Sequence, residues 1–220
     1  MREDWNRRAQ EDAKYYVAFG RRDQDDEEFF ATADELVHGL EWEMQRLGAV
    51  DPRALRVLEI GCGPGRVMKP MSRHCGEIHG VDVSDAMIAM ARELLRDIRH
   101  AYVHASGGAD LAQFADESFD FVYSYAVFQH IPDAEVVFSY LREARRVMKD
   151  GAVLRCQFNG LPGTARRYDT WSGVRIAADE VARFALEHDF QLLALDGADT
   201  QYLWTTWRKR PAGWRQSLAA

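Results

Sequence analysis

A glutamate and three alternating glycines stand where an apolar run gives way to a helical pattern: Glu59-Ile60-Gly61-Cys62-Gly63-Pro64-Gly65. The run before them, RVLEIG, reads as a buried strand. Glycines at such a turn allow a tight bend and let a ligand approach the backbone without a Cβ in the way. One glycine would suit a plain strand-to-helix turn, whereas three behind an acid suit a ligand cradle. A dinucleotide fingerprint, G-x-G-x-x-G, sets its third glycine one residue later. Here Gly65 comes early and Arg66 holds that place. Glu59 would sit badly beside a pyrophosphate and well beside a ligand with an ammonium and a sulfonium centre. A second acid, Asp82, ends the next strand, EIHGVDV, where a carboxylate can accept both hydroxyls of a ribose. Nicotinamide enzymes share that feature, so the glycine spacing and Glu59 carry the distinction.

His130, in VFQHIPD, is the candidate proton acceptor, since an imidazole titrates near neutral pH. The residues after it, Ile131-Pro132-Asp133, look like a turn capping the next helix, so support of that turn is the competing reading. Aromatic residues gather outside these motifs: Trp5, Tyr15, Tyr16, Phe19, Trp171, Tyr202, Trp204 and Trp207. Trp204 and Trp207 read as core. Trp171 falls in a polar insertion with Arg166 and Arg167, a position that suits either an acceptor-binding loop or a solvated one.

The elements that must hold these residues alternate. Helical spacing of apolar residues runs from Trp5 to about Gly48, broken by the charged stretch RRDQDDEE. From Arg56 follow RVLEIG, a helix that Pro70 should shorten, EIHGVDV, a helix capped by Ser84, AYVHAS, FDFVYSYAVF, AEVVFSYLREARRVM, GAVLRCQFN, ADEVARFALEHDF, QLLALD and YLWTTWRK. This predicts an α/β fold: a Rossmann-like, mostly parallel seven-stranded sheet with helices on both faces and an antiparallel last strand. The expected organisation is one domain over 1–220, with 1–50 as a helical extension or lid and 51–220 as the core.

The chain of 220 residues is 47% hydrophobic and 29% charged, ordinary for a globular protein. Its net charge of −7 argues against nucleic acid or anionic membranes as general partners, while leaving room for a local basic patch. Cys62, Cys75 and Cys156 are far apart, which argues against a metal site or disulfides and for a cytoplasmic setting. No apolar run approaches the ~18 residues of a membrane span.

The segments VLEIGCGPGR, GVDVSDAMIAMAR, FADESFDFVYSYAVFQHIPD and REARRVMKDGAVL resemble, in order and spacing, the class I S-adenosylmethionine-dependent methyltransferases, over about Arg56 to Phe158. The resemblance is closest to the broad group acting on small molecules. It implies S-adenosyl-L-methionine as cofactor, S-adenosyl-L-homocysteine as product and a small-molecule acceptor. By the family's roles, Gly61, Cys62, Gly63 and Gly65 form the loop along the cofactor's methionine and ribose. Glu59 anchors that loop and the amino group, and Asp82 holds the ribose hydroxyls. Val83 and Met87 pack on the adenine, with helix core as the other reading of Met87. Tyr125 offers backbone to the methionine amino group. The acid that the family often carries after its third strand falls here near Gly107, with Asp110 displaced toward the next turn. The place after the fourth strand reads Ser124-Tyr125-Ala126-Val127, unlike the Asn/Asp-Pro-Pro-aromatic motif of enzymes that methylate adenine in nucleic acids. A nicotinamide-dependent oxidoreductase and a non-catalytic Rossmann-like binding protein remain the alternatives. The acceptor, the atom methylated and the oligomeric state are left open.

Overall fold

The computed structural model describes residues 1–18, 22–164 and 167–215, so Phe19 and Arg166 lie outside the described residues. Seven strands make up the sheet, ordered β3-β2-β1 in a first compact unit, Met1–Gly108, and β4-β5-β7-β6 in a second, Ala109–Ala220.

The first unit opens with α1 (Arg2–Val17), α2 (Asp26–Ala31) and α3 (Asp34–Met44). The charged stretch that interrupts the pattern becomes a helix start. Asp25 caps α2 by accepting the Glu28 N–H, and Glu28 reaches back to the Asp25 N–H. Then β1 (Arg56–Ile60), α4 (Met68–Met71), β2 (Glu77–Asp82), α5 (Asp85–Leu94) and β3 (Ala101–Ala105) follow, with β1 parallel to β2 and β2 to β3. Pro70 leaves α4 four residues long before a 3-10 turn takes over. Ser84 caps α5, its Oγ accepting the Met87 N–H at 3.1 Å.

In the second unit β4 (Phe119–Ser124), α6 (Ala134–Val147), β5 (Met148–Phe158), α7 (Ala178–Glu187), β6 (Phe190–Asp196) and β7 (Leu203–Lys209) follow in turn. Val137, Tyr140, Leu141, Ala144 and Val147 bury one face of α6 at three- and four-residue spacing. β4 and β5 are parallel, and β7 lies antiparallel between β5 and β6. The fold is thus the mostly parallel, seven-stranded α/β class that the sequence predicts, with the last strand reversed. The fourth strand is shorter than its apolar run: it stops at Ser124, and Phe128–His130 form a 3-10 turn. Ala126 breaks the run with φ +56°, a left-handed conformation that a strand cannot continue through.

Candidate functional site

In the first unit the glycine loop is tied to the end of β2 through its first three residues. Gly61 and Cys62 donate their N–H groups to the Val81 carbonyl at 2.8 and 2.9 Å. Gly63 donates to Asp82 Oδ2 at 2.9 Å. Gly61, Gly63 and Gly65 all take positive φ, +78°, +51° and +88°, which other L residues reach at about 1–2 kcal/mol each. The alternation seen in the sequence is therefore a conformational requirement. Gly80 on β2 makes room for the loop, since a Cβ there would come within 2.7 Å of Cys62 Cβ. Cys62 is buried, and burial, with Asp82 and Glu59 nearby, pushes its thiol well above the ordinary value. It is a packing residue of the loop, protonated at neutral pH.

Asp82 has each carboxylate oxygen on a backbone donor, Oδ2 on Gly63 and Oδ1 on Ser84 at 2.8 Å. Burial holds its carboxyl above the ordinary value, against the opposing pull of the Ser84, Gly63 and Val83 N–H groups. Two carboxylate oxygens offer about four lone-pair sites, so acceptor capacity is left for a ligand's hydroxyl groups. The site residues thus fit a ribose-bearing cofactor. Glu59 is buried at the end of β1, opposite Gly80 in the register. Val83 borders Gly108, whose added Cβ would come within 3.2 Å of it. Arg66, which occupies the place of a dinucleotide glycine, is buried and donates to the Thr32 carbonyl at 3.1 Å.

Across the carboxyl ends of these strands runs α1, and its attachments follow strand order. Arg2 donates to the Ser106 carbonyl beyond β3 and to both oxygens of Asp85 at the start of α5, each at 2.8 Å. Beyond β2, Asn6 Oδ1 accepts from Ser84 Oγ at 2.7 Å and from the Ala86 N–H at 3.2 Å. Ala9 and Ala13 are buried with Met87, flanked by Trp5, Val17 and Met90. Beyond β1, a Cβ on Gly63 would come within 3.4 Å of the Val17 side chain. Met87 thus lies in the seam between α1 and α5. Tyr16 donates to Glu11, and the Tyr15 ring carries the Arg22 guanidinium. Sequence reading missed Arg2, Asn6 and Val17, because their partners are dozens of residues away. α1 is itself interrupted at Asp12, whose φ −170° and ψ 87° are not helical. The Asp12 carboxylate accepts the Tyr15 N–H at 3.0 Å and so caps a second short segment.

In the second unit Tyr125 stacks on Trp204, centroids 5.5 Å apart and ring planes nearly parallel, and Arg155 lies over the Trp204 ring. Trp207 is fully buried core, as the sequence predicts, but Trp204 is only partly so. The left-handed Ala126 donates its N–H to Oε1 of the buried Gln157 at 3.1 Å, and Gln157 Nε2 donates to Gln129 Oε1 at 3.1 Å. His130 is buried, with Nδ1 2.9 Å from the Trp171 carbonyl and Nε2 3.4 Å from Gln129 Nε2. Since that carbonyl can only accept, Nδ1 carries the proton and Nε2 is the accepting nitrogen. Gly173 lets the loop approach this turn, as a Cβ there would overlap the Gln129 carbonyl. Asp133 caps α6 through the Glu135 N–H. Asp110 is exposed and accepts the Ala112 N–H.

Among the described residues no group of three or more His, Cys, Asp or Glu is placed to hold a metal ion, and no helix is long and apolar enough to cross a membrane.

Residues 58–156 match the family model of the methyltransferase domain. The phosphoethanolamine N-methyltransferase 2 of Caenorhabditis elegans is 37% identical over 103 residues, 46% of this chain and 23% of that protein. The ubiquinone biosynthesis O-methyltransferase of Ruegeria pomeroyi is 34% identical over 131 residues, 56% of this chain and 49% of that protein. The chain thus spans between about a quarter and a half of the length of these curated relatives. Among solved structures, magnesium protoporphyrin IX methyltransferase from Synechocystis PCC 6803 with bound SAH shares the fold. Its TM-score is 0.68 at 15% identity, covering 94% of this chain and 97% of that one. Residues 58–156 thus match the methyltransferase domain, and the seven-stranded sheet with its reversed last strand is the fold of a solved S-adenosylmethionine-dependent methyltransferase.

Proposed function

We propose that this protein transfers a methyl group from S-adenosyl-L-methionine to a small-molecule acceptor. The observation that carries the reading is Asp82, held by Gly63 and Ser84 at the mouth of a loop with three left-handed glycines. The cofactor supplies a methyl group already activated on a sulfonium, and S-adenosyl-L-homocysteine is what remains. The chain's own residues have the simpler tasks of binding, orienting and excluding water. Asp82 accepts the ribose hydroxyls; Gly61, Cys62, Gly63 and Gly65 give backbone to the ribose and methionine; Glu59 anchors the loop and the amino group. Val83 lies beside the adenine, and Met87 supports it from the α1–α5 seam. Tyr125 offers backbone to the methionine, and Asp110 is the acid available for the adenine amino group. His130 is the candidate to take the acceptor's proton, on Nε2. Orientation alone can supply about 7–11 kcal/mol of barrier reduction, so the reaction does not depend on a base.

We read residues 1–50 as a lid and 51–220 as the core, all one functional domain in the cytoplasm. The attachments of α1 beyond three successive strands support the lid. Its surface over Gly63 is the apolar Val17, which suits exclusion of water.

Calorimetry tests the reading. S-adenosyl-L-homocysteine is expected to bind, and Asp82→Ala to weaken it by about 1.5–3 kcal/mol for each charge-assisted hydrogen bond lost. Tight NADH binding without S-adenosyl-L-homocysteine binding would sink it. Methyl-labelled cofactor with a fractionated extract then identifies the acceptor by mass spectrometry.

A further inference from the structure

At the far end of α5 the chain turns through residues 95–100 into the edge strand β3, and the turn encloses a cleft of about 340 Å³. Arg92, Arg96, Arg99, Tyr102 and His104 line it. Three guanidinium groups around one cleft are unexpected in a chain of net charge −7. Arg96 is partnered, by Glu93 and at 3.9 Å by Asp97. Among the described residues no carboxylate pairs with Arg92 or Arg99. Arg92, in the last turn of α5, also suits the negative end of the helix dipole. Arg99 lies beyond the last turn, where that attraction has faded.

The remaining walls are mixed, with Leu95, Ile98 and Val103 apolar and Tyr102 and His104 offering polar atoms. Tyr102 is 45% exposed, large for an aromatic ring, and stacks on His79 with centroids 5.0 Å apart. His104 leads inward through a chain of hydrogen bonds: 3.0 Å to His79 Nδ1, and 2.5 Å from His79 Nε2 to Glu77. Burial, with His79 and Arg92 beside it, holds His104 below the ordinary histidine value, so near neutral pH the positive charge comes from the guanidinium groups.

We propose that this cleft is a second binding site, separate from the glycine loop, for a small soluble phosphomonoester. A guanidinium fork matches the oxygens of a phosphate in pairs, and two unpartnered arginines give up no existing ion pair to bind one. The volume lies at the small end of ligand sites, right for a phosphate with a short organic remainder. Nothing in this proposal depends on methyl transfer.

The experiment is a titration of the isotopically labelled full chain, at constant ionic strength, with glycerol 3-phosphate, inorganic phosphate, glycerol and sodium sulfate. Saturable shifts of the Arg92 and Arg99 side-chain N–H signals and the His104 ring are expected with glycerol 3-phosphate, and weaker ones with inorganic phosphate. The Arg92→Gln/Arg99→Gln variant is expected to lose at least tenfold in affinity at an unchanged melting temperature. The single Arg99→Gln variant reports separately should the double one be unstable. Equal responses to sulfate and glycerol 3-phosphate would overturn the proposal, as would a response to glycerol or an affinity indifferent to both arginines. Arginine-dependent binding of phosphatidic acid vesicles or a short oligonucleotide, without binding of glycerol 3-phosphate, would overturn it as well.

Discussion

His130 is where two roles for one residue can be told apart. Its Nδ1–H holds the Trp171 carbonyl, and Nε2 is the accepting nitrogen, facing the Gln129 amide at 3.4 Å. A base acting through Nε2 predicts that His130→Ala and His130→Gln lose about 10²–10⁴-fold in turnover with cofactor affinity intact, and that an ionisation vanishes from the pH profile. A loop-holding role predicts a lower melting temperature and near-normal turnover. His130→Asn, whose amide can still donate to the Trp171 carbonyl, should then restore stability. Which residues were legible beforehand follows from the range of their interactions. Glu59, the three glycines and Asp82 announce themselves because a strand, a tight turn and an acid at a strand's end are local features. Gln157 does not: its donor, the Ala126 N–H, lies 31 residues away, and a glutamine inside an apolar strand carries no pattern of its own. The same contact hid the end of β4, since the apolar run continues past Ser124 and only a long-range partner secures the bend.

Among the elements, α1 is the one that the lid reading ties to turnover. Its apolar spacing was readable as a helix, but the face it covers was not, because Asn6 and Ser84 are 78 residues apart. The truncation that removes residues before Asp26, and the milder Asn6→Ala, are both expected to slow methyl transfer more than they lower the melting temperature. Asn6→Ala removes the acceptor for Ser84 Oγ and the Ala86 N–H, at about 0.5–1.5 kcal/mol for each net hydrogen bond. Since Ser84 still caps α5, the helix itself should persist. Normal activity in both variants, or unfolding of both, would leave α1 an ordinary packing helix. α5 and α6 matched the sequence reading closely because both caps, Ser84 and Asp133, are adjacent in sequence to the helices they start.

For the whole molecule, the pH dependence of stability should carry the signature of the β2–β3 edge. Burial lowers the pKa of both His79 and His104. As pH falls through the ordinary histidine range, the unfolded chain takes up protons that the folded one refuses, so stability is full above that range and declines below it. Melting temperatures are expected to fall from pH 7.5 to 5.5, and the His79→Gln/His104→Gln variant to flatten that slope. An unchanged slope would assign the acid sensitivity elsewhere. Glu77, held below the ordinary carboxylate value by His79 and Arg56 against its own burial, adds a further loss only at lower pH. The family match ends at residue 156, so the chain's individuality lies in α1–α3 and in the stretch after β5.

Because α1 is interrupted at Asp12, its two segments can part from the core at different rates. A continuous helix would release Arg2, Asn6, Ala9 and Val17 together, as one rod. With an extended residue between them, the short segment, which rests on α5 through Ala13, can open over Gly63 while Arg2 and Asn6 keep the longer one clasped to α5. Amide hydrogen exchange is therefore expected to be biphasic along α1, faster in residues 13–17 than in residues 5–11. The residence time of a ligand against the glycine loop would then follow the short segment alone, and that step, more than chemistry, would govern how quickly product leaves.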